Sequence, residues 1–178
     1  MDFRKAFDTL PRDKLWERLE EIMVPPELRI VVIRLCETII AKLKTNEWWS
    51  KDIKCISGVK QGCPISPTLF GNYIDKLEEC LETASCKGTE LTGIIITLLL
   101  YVDDIILLAR SRDDLEKQLK NLHVYFSKMG MTANTDKTKV MMIKSKKITH
   151  DSFVYDNHFL EQVYSYKYLG IDFPHQLN

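Results

Sequence analysis

An α+β fold, with an antiparallel sheet backed by helices, is predicted by three features of this 178-residue chain. Apolar residues recur at helical spacing in four segments. Short strand-like runs lie between them, joined by turns or by those helices. No internal repeat, low-complexity linker or change of composition marks a second domain, so residues 1–178 are read as one.

The elements follow in order. Residues 11–23 form a helix, with Leu15, Trp16, Leu19, Ile22 and Met23 on one stripe. A second helix starts at Pro26, a favourable first-turn residue, and is expected to turn Ile30, Val31, Leu35 and Ile39 inward. From Ala41 to Gly58 the pattern becomes strand-like around a turn near Asn46, with Trp48 and Trp49 beside it. The loop "SGVKQGCPISP" leads into a helix through Leu69, Phe70, Tyr73, Ile74, Leu77 and Leu81. Apolar strands follow. Ser111 and Asp114 make a capping box for a helix through Leu115, Leu119, Leu122 and Phe126 that stops at Gly130. A hairpin turn is expected at Asp156-Asn157 in the strand-like tail.

Bulk properties exclude some functions. Twenty-five basic residues balance 25 acidic ones, so no global basic field announces nucleic acid, although a local groove would suffice. Five cysteines (36, 55, 63, 80 and 86) without a Cys-x-x-Cys pair read as reduced packing residues of an intracellular protein. Whether that means nucleus or cytoplasm is not encoded. The apolar stretch from Ile94 to Ala109 is too short to span a bilayer and is broken by an acid pair.

That pair sits in "TLLLYVDDIILLAR", where Asp103 and Asp104 interrupt a run apolar enough to be buried. An unpaired buried carboxylate costs several kcal/mol, so something must compensate these two. Strand residues alternate between faces, and in a straight strand only one aspartate could reach a given site. A hairpin at Val102–Asp104 would bring both to its tip, leaving Leu98–Tyr101 and Ile105–Leu108 buried. Such a tip is a natural half-site for Mg²⁺, which takes one or two carboxylates plus phosphates and water. The plainer alternative is a polar turn between two core strands.

Three further segments have equally plain readings alone. Asp2 and Asp8 in "DFRKAFDTLPRDKLWERL" are solvated charges around a helix start. "GVKQGCPISPTLF" is a loop in which Ser66 caps the next helix. "GMTANTDKTKVMMIKSKK" is a helix stop followed by a lysine-protected edge strand.

In combination and order, these segments resemble the reverse transcriptases of non-LTR (LINE-type) retrotransposons over almost the whole chain. The opening is similar to the family block D-x-x-K-A-F-D, and "SGVKQGCPISPTLF" to G-V-x-Q-G-x-x-x-S-P. "YVDD" resembles Y-x-D-D, "GMTANTDKTK" the G-x-x-x-N-x-x-K-T pattern, and "YKYLGI" the segment that cradles the primer end. One Y-x-D-D is weak; five ordered blocks are strong.

The resemblance implies a reverse-transcriptase palm with helices packed mainly on one face of its sheet. Its activity would be RNA-directed DNA polymerisation. Asp2, Asp103 and Asp104 would hold two Mg²⁺ ions, with Mn²⁺ as a substitute, and displace pyrophosphate from a dNTP with the primer 3′-hydroxyl. Phe7 would block a ribonucleotide's 2′-hydroxyl, and Gln61, with Gly62, would contact the incoming nucleotide and template. Lys137 would lie near the departing pyrophosphate. Tyr168, Leu169 and Gly170 would belong to the primer grip. The five lysines between 137 and 147 would add phosphate contacts or form a solvated face.

The partners implied are an RNA template, a DNA primer and dNTPs, with no membrane. Against the family pattern, no fingers region precedes the first block and no thumb follows, so these are expected to be lost or supplied by another chain. The isolated chain is accordingly expected to be a poor or inactive polymerase. Two alternatives share parts of the pattern. A non-catalytic relic would keep the palm as an interaction scaffold. A palm-type cyclase would keep the acid hairpin but have no use for Phe7 or the Gln61 block.

Overall fold

The computed structural model describes residues 1–143 and 152–174, which fall into two compact units. One comprises Lys5–Lys76 with Met129–Met131; the other comprises Met1–Arg4, Leu77–Lys128 and the residues from Thr132 onward. Each is α+β.

The first unit runs α1 (Ala6–Thr9), α2 (Arg12–Glu21), α3 (Pro26–Glu37), β1 (Ile40–Ala41), β2 (Ile53–Lys54) and α4 (Ser66–Ile74). Leu15 and Leu19, four residues apart on α2, are buried with Leu69, Phe70, Tyr73 and Ile74 of α4. Arg18 is buried as well. Its guanidinium donates to the Asn72 carbonyl and pairs with Glu21 and Asp75 at 3.0 and 3.2 Å. On α3 the covered residues are Val32 and Cys36, whereas Ile30, Val31 and Leu35 are exposed. That corrects the expected inward face. Apolar residues surround much of this helix, and periodicity does not say which part of so broad a stripe meets its neighbour.

Ser66 does not cap α4. It is the first helical residue, and its hydroxyl donates to the Lys60 carbonyl at 2.7 Å. The preceding loop is anchored through Gly58, at φ +73°, where a Cβ would stand 2.3 Å from the Phe7 carbonyl oxygen. The helix expected through Leu77 and Leu81 is interrupted by a turn at Asp75–Lys76, although all six predicted apolar residues are buried.

The second unit contains α5 (Leu77–Thr83), β3 (Thr89–Leu91), β4 (Ile94–Ile96), β5 (Leu98–Tyr101), β6 (Asp104–Leu107) and α6 (Arg112–Met129) up to Lys128. Then come β7 (Lys139–Val140), β8 (Phe153–Tyr155), β9 (His158–Gln162), β10 (Ser165–Tyr168) and β11 (Ile171–Pro174). Among the described residues the strands form small sheets rather than one. The pairs β1–β2, β3–β4, β5–β6 and β10–β11 are antiparallel, and β9 lies between antiparallel β8 and parallel β7. The turn between β8 and β9 is Asp156–Asn157, both at positive φ, as a two-residue type I′ connection requires. Helix α6 buries Leu119, Leu122 and Phe126, and the Phe126 ring lies 4.6 Å from that of Phe3.

The predicted cap of α6 is present: the Asp114 N–H donates to Ser111 Oγ at 3.1 Å, and Ser111 donates to the Asp114 carboxylate at 2.8 Å. Ser111→Ala should therefore destabilise the protein by about 1 kcal/mol, read from chemical denaturation. An unchanged midpoint would show that water replaces the cap without loss.

Among the described residues no helix is long and apolar enough to cross a membrane. Of the five lysines between 137 and 147, Lys144, Lys146 and Lys147 lie outside the described residues.

Candidate active site

The acid pair lies on a hairpin, as its apolar flanks suggest. Strands β5 and β6 pair with Tyr101 opposite Asp104, so the turn is Val102–Asp103 and Asp104 opens the second strand. Val102 has φ 54°, a costly conformation for a β-branched residue and one that glycine normally supplies at the first position of a tight turn. The pairing of Tyr101 with Asp104 holds Val102 in this strained conformation and sets Asp103 on a two-residue turn.

The flanking strands are not buried as expected. Ile105 is buried, but Leu99, Leu100 and Tyr101 are exposed. An apolar run is buried on both faces only if both are covered. Here the hairpin pairs through β5 with no further strand among the described residues. Residues of β5, β6, α6, β10 and β11 line an apolar cavity of about 370 Å3.

Asp2 reaches the hairpin through the backbone. Met1 and Ile105 exchange both main-chain hydrogen bonds, at 2.6 and 2.9 Å, and the next pair is Asp2 opposite Asp104. That is a non-hydrogen-bonded antiparallel pair, in which facing side chains share a face and come closest. On its other side the segment pairs with residues 132–134: Asn134 N–H donates to Asp2 O, and Arg4 N–H to Thr132 O, both at 2.8 Å. Asp2 is thus held between two neighbours.

The same pairing delivers Lys137. Thr138 donates to the Asn134 carbonyl through its N–H and its hydroxyl, closing a turn over Asn134–Thr138. Lys137 emerges from it with Nζ 3.1 Å from Asp2 Oδ2. The Asp2 carboxylate is largely covered (16% exposed), whereas the lysine is 69% exposed. Its hydrogen bond to Asp2 raises the ammonium pKa and keeps it charged. Burial raises the Asp103 carboxyl, a backbone hydrogen bond partly offsets this, and Asp2 and Asp104 push it further up.

Tyr168, Leu169 and Gly170 lie on the β10–β11 hairpin, with Leu169–Gly170 as its positive-φ turn. Burial raises the phenol pKa of Tyr168 and of Tyr166, and the Asp104 carboxylate raises both further. Tyr166 was missed in the sequence, although strand alternation from Tyr168 would have found it.

Phe7, Gln61 and Gly62 belong to the other unit. Phe7 stacks on Phe70 with ring centroids 5.4 Å apart. Gln61 donates to Asp8 Oδ1 at 3.0 Å, and Gly62 has φ +78°. Asp8, read from sequence as a solvated charge, therefore orients Gln61.

The donor set suits a hard cation. It consists of carboxylates, two facing one another across strands and a third disfavoured in its charged form by burial and like charge. Among the described residues no three His, Cys, Asp or Glu side chains are gathered closely enough to hold a metal ion as they stand. Mg²⁺ does not require such a cage, since substrate phosphates and water complete its shell.

A family model described as "Reverse transcriptase (RNA-dependent DNA polymerase)" matches residues 1–173. The chain is 29% identical to a Pol polyprotein from the type-1 retrotransposable element R2 of Nasonia vitripennis, over 96% of this chain and 18% of that protein. It is 28% identical to the R2DM Pol polyprotein of Drosophila melanogaster, over 97% of this chain and 17% of the relative. A transposon TX1 protein of Xenopus laevis is 26% identical over 83% of the chain and 11% of its own length. The chain thus spans less than a fifth of each of these relatives.

Proposed function

The chain belongs to the reverse transcriptase (RNA-dependent DNA polymerase) family, and from that premise we propose that it forms the palm core of a non-LTR retrotransposon polymerase. Its reaction is transfer of a deoxynucleotide to a DNA primer on an RNA template. What supports this reading is the Asp2–Asp104 cross-strand pair, with Asp103 on the adjoining turn and an ammonium group on Asp2. Surfaces for template and primer beyond this core are assigned to fingers and thumb regions, which the five sequence blocks do not include.

Asp2, Asp103 and Asp104 would hold Mg²⁺. When bound, the ions supply charge neutralisation at the phosphates and a lowered pKa at the attacking hydroxyl. The chain's own part is positioning. The two-residue turn fixes Asp103, and pairing on both edges fixes Asp2. Lys137 holds a positive charge at Asp2 and is placed to offset charge on a leaving group or to donate a proton. Tyr168, Leu169 and Gly170 present a hairpin turn to the primer end.

The test is Mg²⁺-dependent extension of a DNA primer on RNA by a chimera in which residues 1–173 replace the matching segment of the Nasonia vitripennis relative. An Asp103→Asn chimera is the control. Extension by the first and loss in the second supports the assignment. No extension by either, with the chimera folded, overturns it in favour of a non-catalytic scaffold.

Phe7 is assigned to sugar selection, its ring excluding a 2′-hydroxyl by overlap. In the chimera Phe7→Val should raise ribonucleotide use relative to deoxynucleotide use by about 10-fold or more. Equal loss of both substrates, with a fall in Tm, would instead make Phe7 only the stacking partner of Phe70.

A further inference from the structure

Helix α3 carries apolar residues on two sides, and the fold covers one of them. Val32 and Cys36 are buried, and the half-buried Arg29 on that side pairs with Glu20 at 3.1 Å. On the other side Leu28, Val31 and Leu35 are 57%, 53% and 54% exposed. They follow one another at three and then four residues, the a/d spacing by which one helix packs along another. Single exposed aliphatic residues are ordinary, but a row of them at this spacing is an open packing face.

Charge lies along one edge of the row. Glu27 and Arg34 each stand one residue before a leucine of the row, on the edge turned away from Val32. Both are exposed, and neither side chain has an ion-pair partner among the described residues. In heptad terms these are the positions whose charges set the partner and orientation of a helix pair.

The order of the two charges selects the partner. Consider two copies of α3 run antiparallel about a two-fold axis at Val31. Leu28 then meets Leu35 of the second copy, and Val31 meets Val31. The same operation sets Glu27 against Arg34 of the second copy, and Arg34 against its Glu27. Such reciprocity is what a two-fold interface requires. A parallel pair would instead place like charges at the same level. An unrelated protein would need a row and a charge order matched to these, whereas a second copy brings both. A lipid surface favours cations beside the apolar row, and here one of the two flanking charges is an acid.

We infer that α3 is a self-association surface, pairing antiparallel with α3 of a second copy of this chain through Leu28, Val31 and Leu35. Two Glu27–Arg34 pairs between the copies set its direction. Three apolar side chains from each copy make a small core, short of the ~800 Å² per partner of a standard interface, so the dimer is expected to be reversible. The inference goes beyond the polymerase reading and uses none of the residues assigned to catalysis.

It is tested by sedimentation equilibrium of the chain from low to high micromolar concentration, in EDTA and without nucleotides. Failure of the catalytic assignment therefore leaves the result untouched. All the substituted positions are exposed, and circular dichroism checks folding. Val31→Lys puts two cations together at the axis and should weaken dimerisation by about 10-fold or more. Glu27→Arg alone and Arg34→Glu alone each turn both ion pairs into like-charge contacts, and each should weaken it by about 5-fold. The double variant Glu27→Arg/Arg34→Glu restores opposite charges and should recover dimerisation. Mixing the two single variants should likewise give a heterodimer tighter than either homodimer. A chain that stays monomeric throughout overturns the proposal, as does a dimer indifferent to Val31→Lys. Dimerisation that Val31→Lys weakens but neither the double variant nor the mixture restores would overturn the antiparallel pairing. Association beyond a dimer that persists in every variant would place the contact on another exposed apolar surface and overturn the proposal too.

Discussion

Asp103→Asn is expected to lower primer extension by the chimera by about 10³-fold or more, while the fold is retained and its Tm rises slightly. The carboxamide keeps the size of the side chain and removes only its charge. Holding a charge where phosphoryl transfer is stabilised supplies several kcal/mol, and each 1.36 kcal/mol is tenfold in rate. The expected rise in Tm has a separate cause. Burial, Asp2 and Asp104 all disfavour the charged carboxyl at this turn, so its removal relieves the folded state. The measurement pairs initial extension rates with thermal melts. Activity within tenfold of the unsubstituted chimera would remove Asp103 from the catalytic set. Loss of activity accompanied by a lowered Tm would make it a structural residue.

The legible parts of this protein are those that local chemistry decides. The Ser111–Asp114 cap, the Asp156–Asn157 turn and the fold-back at the acid pair each depend on a few adjacent residues, and each stands where the pattern puts it. The inward face of α3 was not legible, because an apolar stripe reports hydrophobicity all around Ile30–Leu35 and not the position of a neighbour. For the same reason the apolar strands beside Asp103 and Asp104 read as buried although part of their surface is open. The partners of the site residues were hidden too. Nothing local tells that Gln61 meets Asp8, 53 positions away, or that Lys137 meets Asp2. Ordered family blocks named those residues; only the folded chain supplies the bonds between them.

Lys137→Ala should lower kcat and kcat/KM together, by about 10²-fold. The ion pair with Asp2 contributes little to stability, because the lysine is largely in water and surface pairs are screened. Its removal therefore tests chemistry with little disturbance of the fold. The pair is also a competition. Any cation that binds Asp2 shares its carboxylate with the lysine or displaces it, and under the proposed function a displaced ammonium group would be available to the leaving group. Lys137→Arg separates the two roles that remain. Arginine keeps the positive charge but does not give up a proton in proteins. Recovery of kcat by Lys137→Arg would assign a purely electrostatic role, whereas continued loss with an unchanged KM would assign proton donation to the leaving group. A change in KM alone would move Lys137 to nucleotide binding. Full activity of Lys137→Ala would reduce it to a surface lysine that happens to meet Asp2.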